Sequence, residues 1–157
     1  MTQRPILAAL LGAALLAAPA AFAQAPAPSP APAATPARPG LFVNLTTDDT
    51  WAASKAIFFA HQRVLLAGHR PVSIWLNVRG VYLADRRRAS ARIGPQVPDI
   101  QAMLRAFIAD GGQVIACQAC MGVAGLAPAD VVEGVLVGSP EVLMPALMGP
   151  DVRTLSW

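Results

Sequence analysis

The chain has 157 residues, 55% of them hydrophobic, with a formal net charge of +3 and only two cysteines. Loss of Arg4 with the leader described below lowers that charge by one, too weak a positive balance to argue for nucleic acid. The alanine-rich leader and linker inflate the apolar fraction, and what remains is one domain long enough to bury a core.

Residues 1–23 read as a signal peptide. Arg4 and the amino terminus make a short positive region, followed by the apolar run Ile6 to Ala18, which ends at Pro19 and is too short to span a bilayer. Ala21-Phe22-Ala23 supplies the small-x-small pattern of a cleavage site, with Gln24 as the first mature residue. No cysteine follows the run, so a lipid anchor is not expected, nor is stable membrane insertion after cleavage. The expected location is periplasmic or secreted. Residues 24–39 form an Ala/Pro-rich linker whose prolines block helix and favour extended polyproline backbone, a tether of about 45 Å.

The folded domain spans residues 40–157. Leu41 to Leu45 is an apolar strand with Asn44 as its polar exception. Thr46-Thr47-Asp48-Asp49-Thr50 is rich in helix N-caps, and Trp51 to Ala67 follows as a helix with Ala53, Ile57, Ala60, Val64 and Ala67 on one face and Gly68 as its stop. Val72 to Val78 is a β-branched and aromatic strand. The segment from Val81 to Pro98 is irregular and, with Arg79, carries Arg86, Arg87, Arg88 and Arg92. It reads either as a solvated face or as a docking surface for an anionic species or an acidic partner. Asp99 to Asp110 is a helix, Val114 to Ala116 a buried strand, Pro128 to Val132 a short helix, Val135 to Val137 a strand, Pro140 to Met148 a helix and Val152 to Trp157 a last strand. This alternation predicts a three-layer α/β/α domain with a mainly parallel five-stranded sheet of the Rossmann or flavodoxin-like kind.

Chemistry concentrates at Val114-Ile115-Ala116-Cys117-Gln118-Ala119-Cys120. Cys117 ends an apolar strand, the edge of an open α/β sheet where ligands collect. A helix starting there would favour a thiolate, and Cys120 stands at the spacing from which one thiol resolves a disulfide or persulfide on the other. Three readings stay open: a working thiol pair, an inert local disulfide in an oxidising compartment, and two small core residues. Thr46, Thr47 and Asn77 end strands and are placed in the same crevice. His61 reads as a packed or surface histidine and His69 as a solvated one; neither has a spacing that joins it to the cysteines in a metal site, and no metal or cofactor is expected. Asp48 and Asp49 are explained by helix capping.

The first strand, the Ala-rich helix ending at Gly68, and Val114-Ile115-Ala116-Cys117 with Gly125-Leu126 eight positions on together resemble the DsrE/DsrF-like family, including its TusD-type sulfur-relay subunits. The resemblance covers residues 40–157. It implies a DsrE-like fold and a sulfurtransferase or carrier role in which Cys117 accepts or transfers sulfane sulfur; Cys120 as the resolving partner and Gly125 as a substrate-binding residue complete the expected site. It also implies a trimer or hexamer that meets small sulfur species or a sulfur-donor or acceptor protein. Many relatives carry Arg before the glycine, where this chain has Ala124. A non-catalytic binding module with a structural Cys-x-x-Cys disulfide, and a thiol–disulfide oxidoreductase, are the alternatives.

Overall fold

The computed structural model describes residues 38–157; the signal peptide and the linker up to residue 37 lie outside the described residues. Arg38 and Pro39, assigned to the linker by composition, are already tied to the domain. Arg38 Nη1 donates to the Ala67 carbonyl at 2.6 Å, and His69 Nδ1 lies 2.7 Å from the Pro39 carbonyl oxygen.

In chain order the elements are β1 (Gly40–Leu45), α1 (Thr50–Phe58) running into a π-helix (Phe59–Leu65), β2 (Val72–Leu76), a 3-10 helix (Val78–Ala84), α2 (Ile100–Ala109), β3 (Gln113–Cys117), α3 (Gln118–Val123), a short 3-10 turn (Pro128–Asp130), β4 (Leu136–Gly138), α4 (Pro140–Met148) and β5 (Val152–Ser156). The strands form one sheet in the order β4-β3-β2-β1-β5, and every neighbouring pair is parallel. The sheet is therefore wholly rather than mainly parallel, as expected when each strand returns through a helical crossover. All strand carboxyl ends consequently share one edge, and Asn44, Asn77 and Cys117 gather there.

The two faces are covered unequally. Leu41, Val43 and Leu45 of β1, Ile74 and Leu76 of β2, and Val114 and Ala116 of β3 pack with Ala53, Ile57, Leu104 and Phe107 in the main core. The opposite face holds a smaller cluster in which Phe42, Ile115 and Ala146 are buried, with Trp75, Val142, Leu143 and Leu147 packed against it from β2 and α4. Alternation along the strands is what deals residues to the two layers.

Three local departures from the sequence reading matter. The single helix expected over residues 51–67 changes to π geometry at Phe59. That wider turn brings Leu65 into the core and ends the helix there; Ala53, Ile57 and Ala60 are buried as the period predicts, whereas Ala67 falls in the turn beyond Leu65 and is exposed. It also turns His61 inward, where its Nε2 lies 2.6 Å from Asp110 Oδ2 and its ring meets Phe107 edge-on. The strand expected over residues 72–78 stops at Leu76, and residues 78–84, spanning its expected end and the first part of the segment read as irregular, coil into a 3-10 helix capped by the Asn77 side chain. Lastly, a helix not assigned in the sequence reading, α3, begins directly after Cys117.

Candidate functional site

Cys117 closes β3 and is the N-cap residue of α3. Its Sγ accepts the backbone N–H of Cys120 at 3.2 Å, in the manner of a capping oxygen. The two cysteines are joined as a disulfide, with Cα atoms 5.2 Å apart, and both are half-buried. Gly125 follows α3 at φ +65°, a left-handed stop that glycine tolerates.

Asn77 reaches this pair from the end of β2: its Oδ1 lies 3.3 Å from Cys120 Sγ and also accepts the Val78 N–H at 2.9 Å. Asn77 Nδ2 donates to Asn44 Oδ1, and Asn44 Nδ2 donates to Ser156 Oγ, each at 3.4 Å. A chain of amides thus runs from β5 across β1 to the cysteines. Val78, next in line, has φ +50° although it is β-branched and more than half exposed. Non-glycine residues with such backbones are held there by their surroundings and gather at functional sites.

An open cavity of about 360 Å³ adjoins the disulfide. Val78, Arg79, Tyr82, Ala119, Cys120, Val123 and Ala124 line it, so Cys120 faces the cavity and Cys117 does not. Arg79 is held to Asp48 by a two-pronged ion pair at 2.8 and 2.7 Å, and that guanidinium holds the Asp48 carboxyl below its usual range. Tyr82 lies 3.8 Å beneath the Arg88 guanidinium.

Thr46 and Thr47 are not brought to this cavity. Thr46 Oγ1 donates to the Trp157 carbonyl, and Thr47 Oγ1 accepts the Asp49 N–H. Trp157 packs on Phe59, and its backbone bonds Asn44 and Thr46 at the end of β1, beside the point between β1 and β5 where the sheet order reverses. Asp49 caps α1 as read from the sequence, but Asp48 serves Arg79 instead. The sequence reading places Arg79 only in the positive segment and does not single out Tyr82 at all; the structure puts both on this cavity. The β-branched run up to Val78 hid the turn that presents them.

Most of the other arginines tie the irregular segment down. Arg87 bonds Asp85 through its backbone N–H and guanidinium, approaches Asp130, and donates to the Gly125 carbonyl at 3.3 Å. A guanidinium therefore reaches the glycine loop from outside it, beside Ala124. The Arg87 hydrogen bonds hold the buried Asp85 carboxyl below the ordinary carboxylate value of 3.8. The stability this supplies is complete above that value and is lost as pH falls through the lower folded-state value. Asp85→Asn is expected to cost about 2 kcal/mol at neutral pH, discounted because Arg87 is half exposed. Urea unfolding from pH 7 downward checks this, and wild type and variant must converge in strong acid.

An all-parallel α/β/α domain carrying a Cys-x-x-Cys disulfide at the carboxyl edge of an inner strand defines the class. The chain belongs to the DsrE/DsrF-like family, whose model matches residues 41–148. Among solved structures, the ychN protein of E. coli superposes with a TM-score of 0.61 at 16% identity, covering 76% of this chain and 99% of that one. The protein BT1422 of Bacteroides thetaiotaomicron, described as of unknown function, gives 0.57 at 18% identity, covering 75% and 94%. MTH1491 of Methanobacterium thermoautotrophicum, likewise of unknown function, gives 0.52 at 17% identity, covering 74% and 98%. At these identities the likeness is one of fold. No curated protein matches the chain.

Proposed function

We propose that this chain is an exported, TusD-type member of its family that accepts sulfane sulfur as a persulfide on Cys117 and hands it on. The observation that carries the reading is the Cys120 N–H directed at Cys117 Sγ on the carboxyl edge of the sheet. In the reduced protein that N–H bonds a thiolate better than a thiol, which favours the nucleophilic form. The Cys117 thiolate attacks the outer sulfur of a donor persulfide R–S–SH, giving Cys117–S–SH and releasing R–S⁻. Cys120, whose thiol hydrogen has Asn77 Oδ1 as acceptor, is the resolving group. Its attack on the inner sulfur of Cys117–S–SH yields the disulfide and hydrogen sulfide.

The test is intact mass of the reduced protein before and after polysulfide. Gain of one sulfur that thiol reductant removes supports the reading; inertness sinks it. A thiol–disulfide oxidoreductase is the second reading, favoured by the disulfide itself. It requires oxidation of a dithiol protein with no sulfur gained. Export is supported by the leader at residues 1–23 and by a disulfide of the sort that persists in oxidising compartments. No helix among the described residues is long and apolar enough to cross a membrane.

The partners on this reading are small sulfur species or a donor or acceptor protein, and further copies of the chain. Assembly into a trimer or hexamer is supported by the thinly covered sheet face. There Met148 is 74% exposed on α4, with Met144 and Leu136 also exposed. Light scattering on the eluting protein is expected to give a multiple of the chain mass, and Met144→Asp with Met148→Asp to lower it. A wild-type monomer at micromolar concentration overturns this.

A further inference from the structure

The disulfide is asymmetric in two independent ways, and both point to the same chemistry. The first asymmetry is access. Cys120 borders the open cavity beneath Val78, Arg79 and Tyr82, whereas Cys117 is turned from it into the cap of α3. A nucleophile arriving through the cavity reaches Cys120 before Cys117.

The second asymmetry is electrostatic. Negative charge developing on Cys117 is met by the Cys120 N–H at 3.2 Å. Negative charge developing on Cys120 is met by a carbonyl oxygen, Asn77 Oδ1, at 3.3 Å. The orientation of that amide is fixed by its other bonds. Oδ1 accepts from the Val78 backbone N–H and Nδ2 donates to Asn44 Oδ1, which is itself oriented by Asn44 Nδ2 donating to Ser156 Oγ. A flipped Asn77 amide would put its NH₂ against the Val78 N–H, two donors facing each other, so the network rather than convention sets which atom faces the sulfur. Bond cleavage therefore runs one way: Cys120 receives the nucleophile and Cys117 leaves as the thiolate, the better leaving group of the two.

We propose that the oxidised protein is itself a persulfide-forming reagent toward hydrosulfide, and that Cys120 is the sulfur it loads. Hydrosulfide, a small soft anion that fits an apolar cavity with the Arg79 guanidinium at its rim, attacks Cys120 Sγ. A bond forms between the incoming sulfur and Cys120 Sγ, and the Cys117–Cys120 bond breaks. The electron pair of that bond leaves with Cys117, and the hydrosulfide proton stays on the terminal sulfur. The products are Cys120–S–SH and the Cys117 thiolate. The incoming sulfur is oxidised by two electrons to the sulfane level while the disulfide is reduced by two, so the protein's own disulfide is the oxidant and no further reagent is needed for one loading. This rests on the carrier reading of the site but assigns it a substrate class and a second loading position. The reduced form takes preformed sulfane sulfur on Cys117, and the oxidised form makes it from hydrosulfide on Cys120. Asn77 is a positioning residue, acting on hydrosulfide only through the sulfur it faces.

The experiment takes the disulfide form of the whole protein, verified as two hydrogens lighter than the dithiol. It is mixed anaerobically with sodium sulfide, quenched with iodoacetamide, and the cysteine peptide is read by tandem mass spectrometry. The expected product carries the extra sulfur on Cys120 and a carbamidomethyl group on Cys117, in excess over the reverse isomer by about tenfold, the worth of one hydrogen bond. Asn77→Ala is expected to lower that preference severalfold, leaving the part that cavity access and the Cys120 N–H supply, whereas a merely structural role in the turn would leave it intact. Extra sulfur on Cys117 in the wild type overturns the proposal, as does a site preference that Asn77→Ala leaves unchanged. A disulfide inert to sulfide in a protein whose reduced form still loads from polysulfide overturns this proposal and spares the carrier reading. Failure of both forms to take up sulfur sinks both.

Discussion

Cys117→Ser is expected to lower sulfur loading of the reduced protein from polysulfide by about tenfold, because the serine alcohol is not a nucleophile at neutral pH and the remaining Cys120 thiol faces a carbonyl oxygen rather than an N–H that would favour its thiolate. The variant should still fold. Serine is among the better N-cap residues, and its hydroxyl oxygen can accept the Cys120 N–H that now meets Cys117 Sγ. The lost cross-link closes a loop of only a few residues, where the entropic contribution of a disulfide is smallest. Cys120→Ser separates acceptance from release. It keeps the thiolate and its N–H donor, so it should load one sulfur at about the wild-type rate and then hold it, since no second thiol attacks the inner sulfur of Cys117–S–SH. Intact mass over a time course reads both variants. Reversal by thiol reductant distinguishes a persulfide from a sulfinic acid of nearly the same added mass. Normal loading of Cys117→Ser, or a Cys120→Ser variant that sheds its sulfur as fast as wild type, would remove the assigned roles.

Why the sulfur edge was legible from sequence while its surroundings were not comes down to the range of the interactions. Gly111-Gly112 followed by Val114-Ile115-Ala116 is a local pattern, and it placed Cys117 correctly at the end of β3. The alternating blocks gave five strands, and the resemblance supplied the family that residues 41–148 match. Asn77 was named as a strand-end polar residue, but its contact with Cys120 spans 43 positions and depends on β2 and β3 being neighbours. Val78 defeated the reading from propensity: a β-branched residue at the end of VSIWLNV argues for one more strand residue, and its positive φ is imposed by the turn. Thr46 and Thr47 are a different case. Their position at the edge was right, but Trp157 and Asp49 had already claimed their hydroxyls. The π-helix left no trace in the hydrophobic period long enough to separate it from an ordinary helix, so the His61–Asp110 contact it creates was invisible.

Gly80→Ala should be the most damaging single-methyl change near the site. A Cβ on Gly80 would drive into the Leu45 carbonyl oxygen, and Leu45 is a fully buried residue at the end of β1 whose carbonyl already accepts the Asn77 N–H at 2.9 Å. Neither party gives way cheaply, because the obstacle is backbone of a central strand. The segment that can move is the 3-10 helix, and that segment carries Val78, Arg79 and Tyr82, with Asn77 as its cap. The variant is expected to lose about 3 kcal/mol, at the upper end for overpacking. In a chain of this size that is a large share of the total. The same displacement should draw Asn77 away from Cys120, so the surviving folded protein would load hydrosulfide with less preference for Cys120 even where it is fully native by circular dichroism. Gly94→Ala is the matched control: a Cβ there meets nothing within 4 Å, and it should change stability by less than about 0.5 kcal/mol. If denaturant midpoints of the two variants coincide, the close approach of Gly80 to β1 is not what fixes the cavity wall. If Gly80→Ala is destabilised but keeps the Cys120 preference, the wall and the amide are positioned independently.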